Sequence, residues 1–139
     1  MLLQLPSTPL AAPLAASLVR WPAGVALLCA ALLLPPLWAV LLLIAPVLEE
    51  IVLRAGLQEA LLRHPAWRGA TGAATANLAC ALAFAAAHWL LRPSAFAALT
   101  LLPALWLGWL YQQNRRVAPC IALHSAMNAV WLLWLAATP

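Results

Sequence analysis

Leu48-Glu49-Glu50-Ile51-Val52-Leu53-Arg54 sets two carboxylates and a guanidinium in the middle of an otherwise uncharged apolar stretch. Residues 21–48 carry no charged side chain at all, a run long enough to cross a bilayer. An ionised group at membrane depth costs about 2.5–3.5 kcal/mol on insertion scales, so three together demand a compensating role. They also hold most of the acid in the chain: the only other carboxylate is Glu59, and aspartate is absent.

The surroundings of this string set the fold class. Of 139 residues, 67% are apolar and only 7% charged, which no soluble domain of this size could bury. The composition implies an all-α integral membrane protein, since helices satisfy their own backbone groups in lipid. The positive charge is entirely arginine and gathers at segment ends, where it acts as topology determinant and headgroup anchor. No nucleic-acid partner is expected, despite the net charge of +4. Trp21, Trp67 and Trp89 lie near segment ends, as interfacial aromatics do. Cys29, Cys80 and Cys120 are scattered without metal-binding spacing and read as small buried hydrophobes. The N-terminus lacks the pattern of a removable signal peptide.

Pro35-Pro36 and the arginine-bearing turns divide the chain into about five helices, with four to six as the range. A Pro- and Ala-rich tail, 1–13, precedes one transmembrane domain, 14–139, whose spans cover 14–34, 37–62, 72–92, 95–113 and 117–137. Four spans result instead if 22–45 runs into the next helix at a kink. Arg63, His64 and Arg68 fall between the second and third spans, and Arg115 and Arg116 between the fourth and fifth. The positive-inside rule places both loops in the cytoplasm and the C-terminus outside. A multi-pass protein of a bacterial inner membrane is the expected setting.

On a helix, Glu50 and Arg54 are i,i+4 neighbours, and Gln58 continues the stripe. Glu50–Arg54 is then a natural buried ion pair, and Glu49, about 100° around the helix, is left without a helical partner. A free carboxylate in a poorly hydrated site has the character of a general base. Pro46, one turn earlier, removes a backbone bond and opens the helix there. In the third span Asn77, Phe84 and His88 share one face; in the fifth, His124 and Asn128 are again i,i+4. Each of these alone could be packing glue between helices. His64 lies in an arginine-rich turn and reads as a solvated loop residue.

Together these strings resemble a known set. Glu49-Glu50-Ile51-Val52-Leu53-Arg54, Phe84-Ala85-Ala86-Ala87-His88 and His124-Ser125-Ala126-Met127-Asn128 are similar to the three motifs of the CAAX-protease and bacteriocin-processing family. Its members are membrane-embedded proteases, similar to the endopeptidases that trim prenylated C-terminal tails. The resemblance covers about residues 45–135. It implies that Glu49 is the base that activates a water and that His88 helps hold that water. It implies further that Glu50 and Arg54 form a supporting ion pair, and that His124 and Asn128 stabilise an oxyanion. Two positions depart from the pattern: Leu53 stands where an aromatic is usual, and Ala55 precedes Gly56 where glycine directly follows the arginine. The compact chain, with Ala118-Pro119-Cys120 ahead of His124, looks like small members linked to C-terminal sorting tails of the JDVT-CTERM type.

The resulting expectation is an intramembrane endopeptidase that cuts near the C-terminal or membrane-proximal part of a protein substrate. The bilayer and a tailed or membrane-spanning polypeptide would be its partners, and no cofactor is required. Three alternatives stay open: a zinc protease using Glu49, His88 and His124, a non-enzymatic immunity or scaffold protein, and a proton-coupled carrier. Helix geometry adds one demand. At 1.5 Å per residue from the arginine-rich side, Glu49 and His124 lie at roughly 21 and 12 Å, and His88 at about 28 Å if its helix begins at Gly69. The levels agree better if 69–75 is an interfacial loop and the third helix starts near Asn77, and that is the expectation.

Overall fold

The computed structural model describes residues 35–138, together with Cys29. Helix α1 runs Pro36–Arg63, α2 Gly69–Leu91, the short α3 Ala95–Leu99, α4 Leu101–Asn114 and α5 Val117–Ala137. Four segments are long and apolar enough to cross a membrane: α1, α2, α3 with α4, and α5. These match the expected spans 37–62, 72–92, 95–113 and 117–137, and the bundle is all-α as its composition implied. The expected span 14–34 and tail 1–13 lie outside the described residues. All the packing that follows lies within residues 40–138.

Burial is inverted relative to a soluble protein. Glu50, Arg54, Gln58, Asn77 and His124 are buried, while Leu90, Leu91, Leu102 and Val130 are each at least 65% exposed. A bilayer imposes this arrangement, because lipid accepts leucine but not an unpaired charge. Small residues line the contact between the antiparallel α2 and α4, where Ala76, Cys80, Ala81 and Ala104 are almost fully buried and let the backbones approach.

The ends follow local chemistry. After α1, His64 turns extended ahead of Pro65, and a 3-10 turn, Pro65–Trp67, leads into α2. Pro93 follows the end of α2, and the Ser94 hydroxyl caps α3 by accepting from the Ala97 N–H at 3.2 Å. Arg115 closes α4 in the left-handed conformation with φ 52°. Within α1, Val40–Ile44 and Ile51–Gln58 are π-helical and bracket the turn that carries both glutamates.

One expectation is overturned. Helix α2 begins at Gly69, not near Asn77, so 69–75 is helix and not loop. Glycine and threonine cost at most about 1 kcal/mol each in a helix interior, which packing readily overrides. Gly72 lies so close to the backbone of Trp67 that any side chain there would overlap it. Thr75 turns its hydroxyl back onto the Thr71 carbonyl at 2.7 Å, hiding the polar atom inside the helix. The level problem is resolved in another way. Ala73, already a turn into α2, accepts from Gln112 Nε2 at 2.6 Å, while neighbouring Tyr111 reaches Glu59 near the end of α1. The first turn of α2 therefore extends past the level of Glu59, and Phe84 comes to the level of His124, with ring centroids 5.9 Å apart. His88, one turn further, leans back toward the N-terminus as helical side chains do, and its Nδ1 lies 3.1 Å from the Phe84 carbonyl.

Candidate active site

The turn between the two π-helical segments of α1 presents Glu50 to α5. Its Oε2 accepts from Arg54 Nε at 2.9 Å, and its Oε1 lies 2.9 Å from His124 Nδ1. Arg54 also donates to Gln58 Oε1 at 2.9 Å and to the Ala104 carbonyl at 3.1 Å. Gln58 passes the chain on to the Gly108 carbonyl at 3.0 Å. The stripe anticipated from i,i+4 spacing is therefore a continuous hydrogen-bonded column whose three members are at most 1% exposed.

Helix α4 receives this column through its backbone. The carbonyls of Ala104, Leu105 and Gly108 accept from Arg54, Asn77 and Gln58 respectively. Gly108 has to be glycine: a Cβ there would fall on the Asn77 amide and within 2.9 Å of Arg54 Nη1. The hydrogen that replaces it points at Asn77 Oδ1, a buried acceptor with no conventional partner, and makes a Cα–H···O contact.

Glu49 is placed differently. Its side chain is 33% exposed, and Oε2 sits 3.5 Å from His124 Nε2. One imidazole thus spans both carboxylates. Because Glu50 is already bonded to a cation, it acts as acceptor, and His124 Nδ1 carries the proton toward it. Nε2 then faces Glu49. The Phe84 ring lies between the two imidazoles, with its centroid 4.2 Å from that of His88 and 5.9 Å from that of His124. The carbonyl that His88 Nδ1 meets can only accept, so Nδ1 bears the hydrogen and Nε2 is the ring nitrogen left free of that bond.

Asn128 donates to the Leu41 carbonyl at 2.8 Å. In the π register that carbonyl would await the N–H of residue 46, and Pro46 has none. The carboxamide supplies the missing donor and ties α5 to α1. Among the candidate residues, the structure brings Glu49, Glu50, Arg54, Phe84 and His124 into one cluster with His88 at its edge. Asn77, two turns before Phe84 on α2, lies beside Arg54 and Gly108 at the edge of that cluster, and Asn128 sits one turn beyond His124. Sequence reasoning missed Gly108, though an isolated glycine inside a helix signals close packing. It also missed the Leu41, Ala104 and Leu105 carbonyls, which carry no side-chain signal. Among the described residues, no three His, Cys, Asp or Glu side chains are grouped to hold a metal ion.

The family model for Rce1-like type II CAAX prenyl endopeptidases matches residues 31–130, most of the chain and all three motifs. This chain belongs to that family. No curated protein and no solved structure matches it significantly. Membership in the Rce1-like family makes the chain a multi-pass membrane protein with the activity of a peptide hydrolase, acting on a protein or peptide substrate within the bilayer.

Proposed function

We propose that this Rce1-like protein is a glutamate-dependent intramembrane endopeptidase in which Glu49 draws a proton from the attacking water. The observation that carries the reading is the division of labour between adjacent carboxylates. Glu50 has its oxygens committed to Arg54 and His124, whereas Glu49 is partly exposed and, among the described residues, held only by a 3.5 Å approach to His124. A general base needs that freedom, since it must reach the water's proton in a substrate pose.

Charge counting supports the same assignment. Glu50 and Arg54 cancel, which leaves Glu49 and His124 to share one proton if the cluster is to be neutral at membrane depth. Water seated between Glu49 and the lone pair of a neutral His88 Nε2 would donate a hydrogen bond to each and lose one proton, to Glu49. Its oxygen then attacks the scissile carbonyl, and the proton collected by Glu49 passes to the leaving amine. Before substrate arrives His124 steadies the carboxylate, with its own orientation fixed by Glu50 and, through Glu50, by Arg54. The oxyanion role that resemblance implies for His124 and Asn128 requires each to release its present partner as substrate arrives.

The test uses purified protein and a library of peptides bearing hydrophobic C-terminal segments. Glu49→Gln keeps shape and hydrogen-bonding capacity but removes the base, and it should lower turnover about 10²–10⁴-fold. Undiminished cleavage would refute the assignment. Exhaustive chelation addresses the zinc alternative: activity that survives it supports metal-independent chemistry, and loss restored by zinc supports the other.

A further inference from the structure

Resting on the protease reading above, we infer that Gln58, two turns of α1 beyond the glutamates, is a positioning residue for the reaction. It holds the Arg54 guanidinium on Glu50 and, being neutral, leaves Glu50 the whole of that positive charge.

A buried guanidinium needs a partner for each arm. Arg54 is fully buried and points its donors three ways: Nε to Glu50 Oε2 at 2.9 Å, Nη1 to Gln58 Oε1 at 2.9 Å and Nη2 to the Ala104 carbonyl at 3.1 Å. The fork is planar and rigid, so a bond at one arm fixes the direction of the others. Gln58 is itself anchored, because its Nε2 donates to the Gly108 carbonyl at 3.0 Å and so presents Oε1 from a fixed point on α4. The residue is fully buried, where an apolar side chain of the same length would fill the space without the cost of desolvating an amide. What the amide adds is its two bonds.

A competing acceptor stands beside it. Asn77 Oδ1 is buried without a hydrogen-bond partner, and it and Arg54 Nη1 crowd the same point next to Gly108. A guanidinium released by Gln58 turns toward that oxygen and draws Nε off Glu50. Gln58 therefore decides which way Arg54 faces.

The charge at position 58 matters as much as its reach. A carboxylate there would also accept from Nη1, but a charge-assisted bond is roughly twice as strong as a neutral one and would compete with Glu50 for the arginine. Glutamine accepts without competing. Glu50 then keeps Oε1 for His124 Nδ1 at 2.9 Å, and His124 Nε2 keeps its place against Glu49. Gln58 lies roughly 10 Å along the helix axis from Glu50, too far to touch a bond being cut at Glu49. Its influence runs through the column alone.

Gln58→Met keeps length and volume but makes neither bond, which separates positioning from packing. Parent and variant are compared on the best-cleaved peptide of the library, with turnover expressed per folded molecule. The kcat should fall about 10–100-fold while KM stays within about twofold, since substrate binding is untouched. A second readout does not use turnover. His64, His88 and His124 are the chain's only histidines, so protein carrying isotopically labelled histidine offers three imidazoles to follow by NMR in detergent. The Nδ1 resonance of His124 should shift and broaden in Gln58→Met as Glu50 loosens, with His64 unmoved. A loss of stability alone would leave that resonance at its parental position in the molecules that stay folded. Should Gln58→Met fail to fold, Gln58→Asn takes its place with the same expectations, because it keeps the amide but is one methylene too short to span from Arg54 to Gly108. An unmoved His124 resonance would overturn the inference, as would a parental kcat in an enzyme that Glu49→Gln disables. A shifted His124 resonance in a protein whose cleavage survives Glu49→Gln undiminished would instead sink the catalytic assignment and leave the hold of Gln58 on the column standing.

Discussion

Helix α1 contains the same ion pair twice. Glu50–Arg54 and Glu59–Arg63 are both i,i+4, both in the favourable Glu-before-Arg order, and both close at 2.9 Å. Geometry alone cannot tell them apart. Environment does: the first pair is 0–1% exposed, whereas Arg63 is 58% exposed at the arginine-rich end. Glu50 has no solvent to fall back on, so every partner it has is structural, and its position fixes His124 and through it Glu49. Glu59 shares its charge among Arg63, Arg115 and the Tyr111 hydroxyl, any one of which water could replace. A pair with one spacing and one length thus orders the candidate site in one place and merely decorates a helix end in another.

The comparison is broken most sharply at Arg54. Arg54→Leu should cost about 3–5 kcal/mol of stability, because it leaves Glu50 as an uncompensated buried charge. Thermal unfolding in a mild detergent would show it. The double change Glu50→Leu with Arg54→Leu removes both charges and should recover much of that loss while activity stays absent. If the single variant were as stable as the parent, burial of the pair would not be what distinguishes it.

Gly108→Ala probes the same column from α4 and should have a smaller effect. Its methyl group would press on Asn77 and Arg54, and overpacking of this kind costs typically about 1–3 kcal/mol. Shortening the neighbour in the double variant Asn77→Ala with Gly108→Ala should return part of the loss. No recovery would mean that the methyl is resisted by Arg54 alone.

How far these features could be read beforehand depended on whether they repeat along a helix. The stripe Glu50, Arg54, Gln58 was legible because i,i+4 spacing is a local rule, and Glu49 stood out as the carboxylate that the stripe leaves over. The four described spans were legible from hydropathy. The start of α2 was not, because Gly72 is packed against the Trp67 backbone, a contact that helix propensity does not report. The level of His88 was misjudged for a related reason: a count along one axis ignores both the overhang of α2 and the backward lean of its side chains. The receivers of the column were invisible. Backbone carbonyls at Leu41, Ala104 and Leu105 look alike in any sequence, and only Gly108 left a trace, as a glycine where a helix had no local need of one.

The smallest expected effect closes the comparison. Arg63→Ala removes one arm of the exposed pair, but Glu59 keeps Arg115 at 3.3 Å and the Tyr111 hydroxyl at 2.8 Å. Exposed pairs of this type are weakened by screening and by the entropy of two long side chains. The variant should therefore unfold at the parent's temperature, cleave peptide at the parent's rate, and respond to added salt no differently. Parallel unfolding curves at low and high salt are the measurement. A loss approaching that of Arg54→Leu would mean that spacing and charge, not burial, determine what such a pair does in this helix. An unchanged curve leaves the membrane interior as the one variable separating two otherwise equivalent pairs.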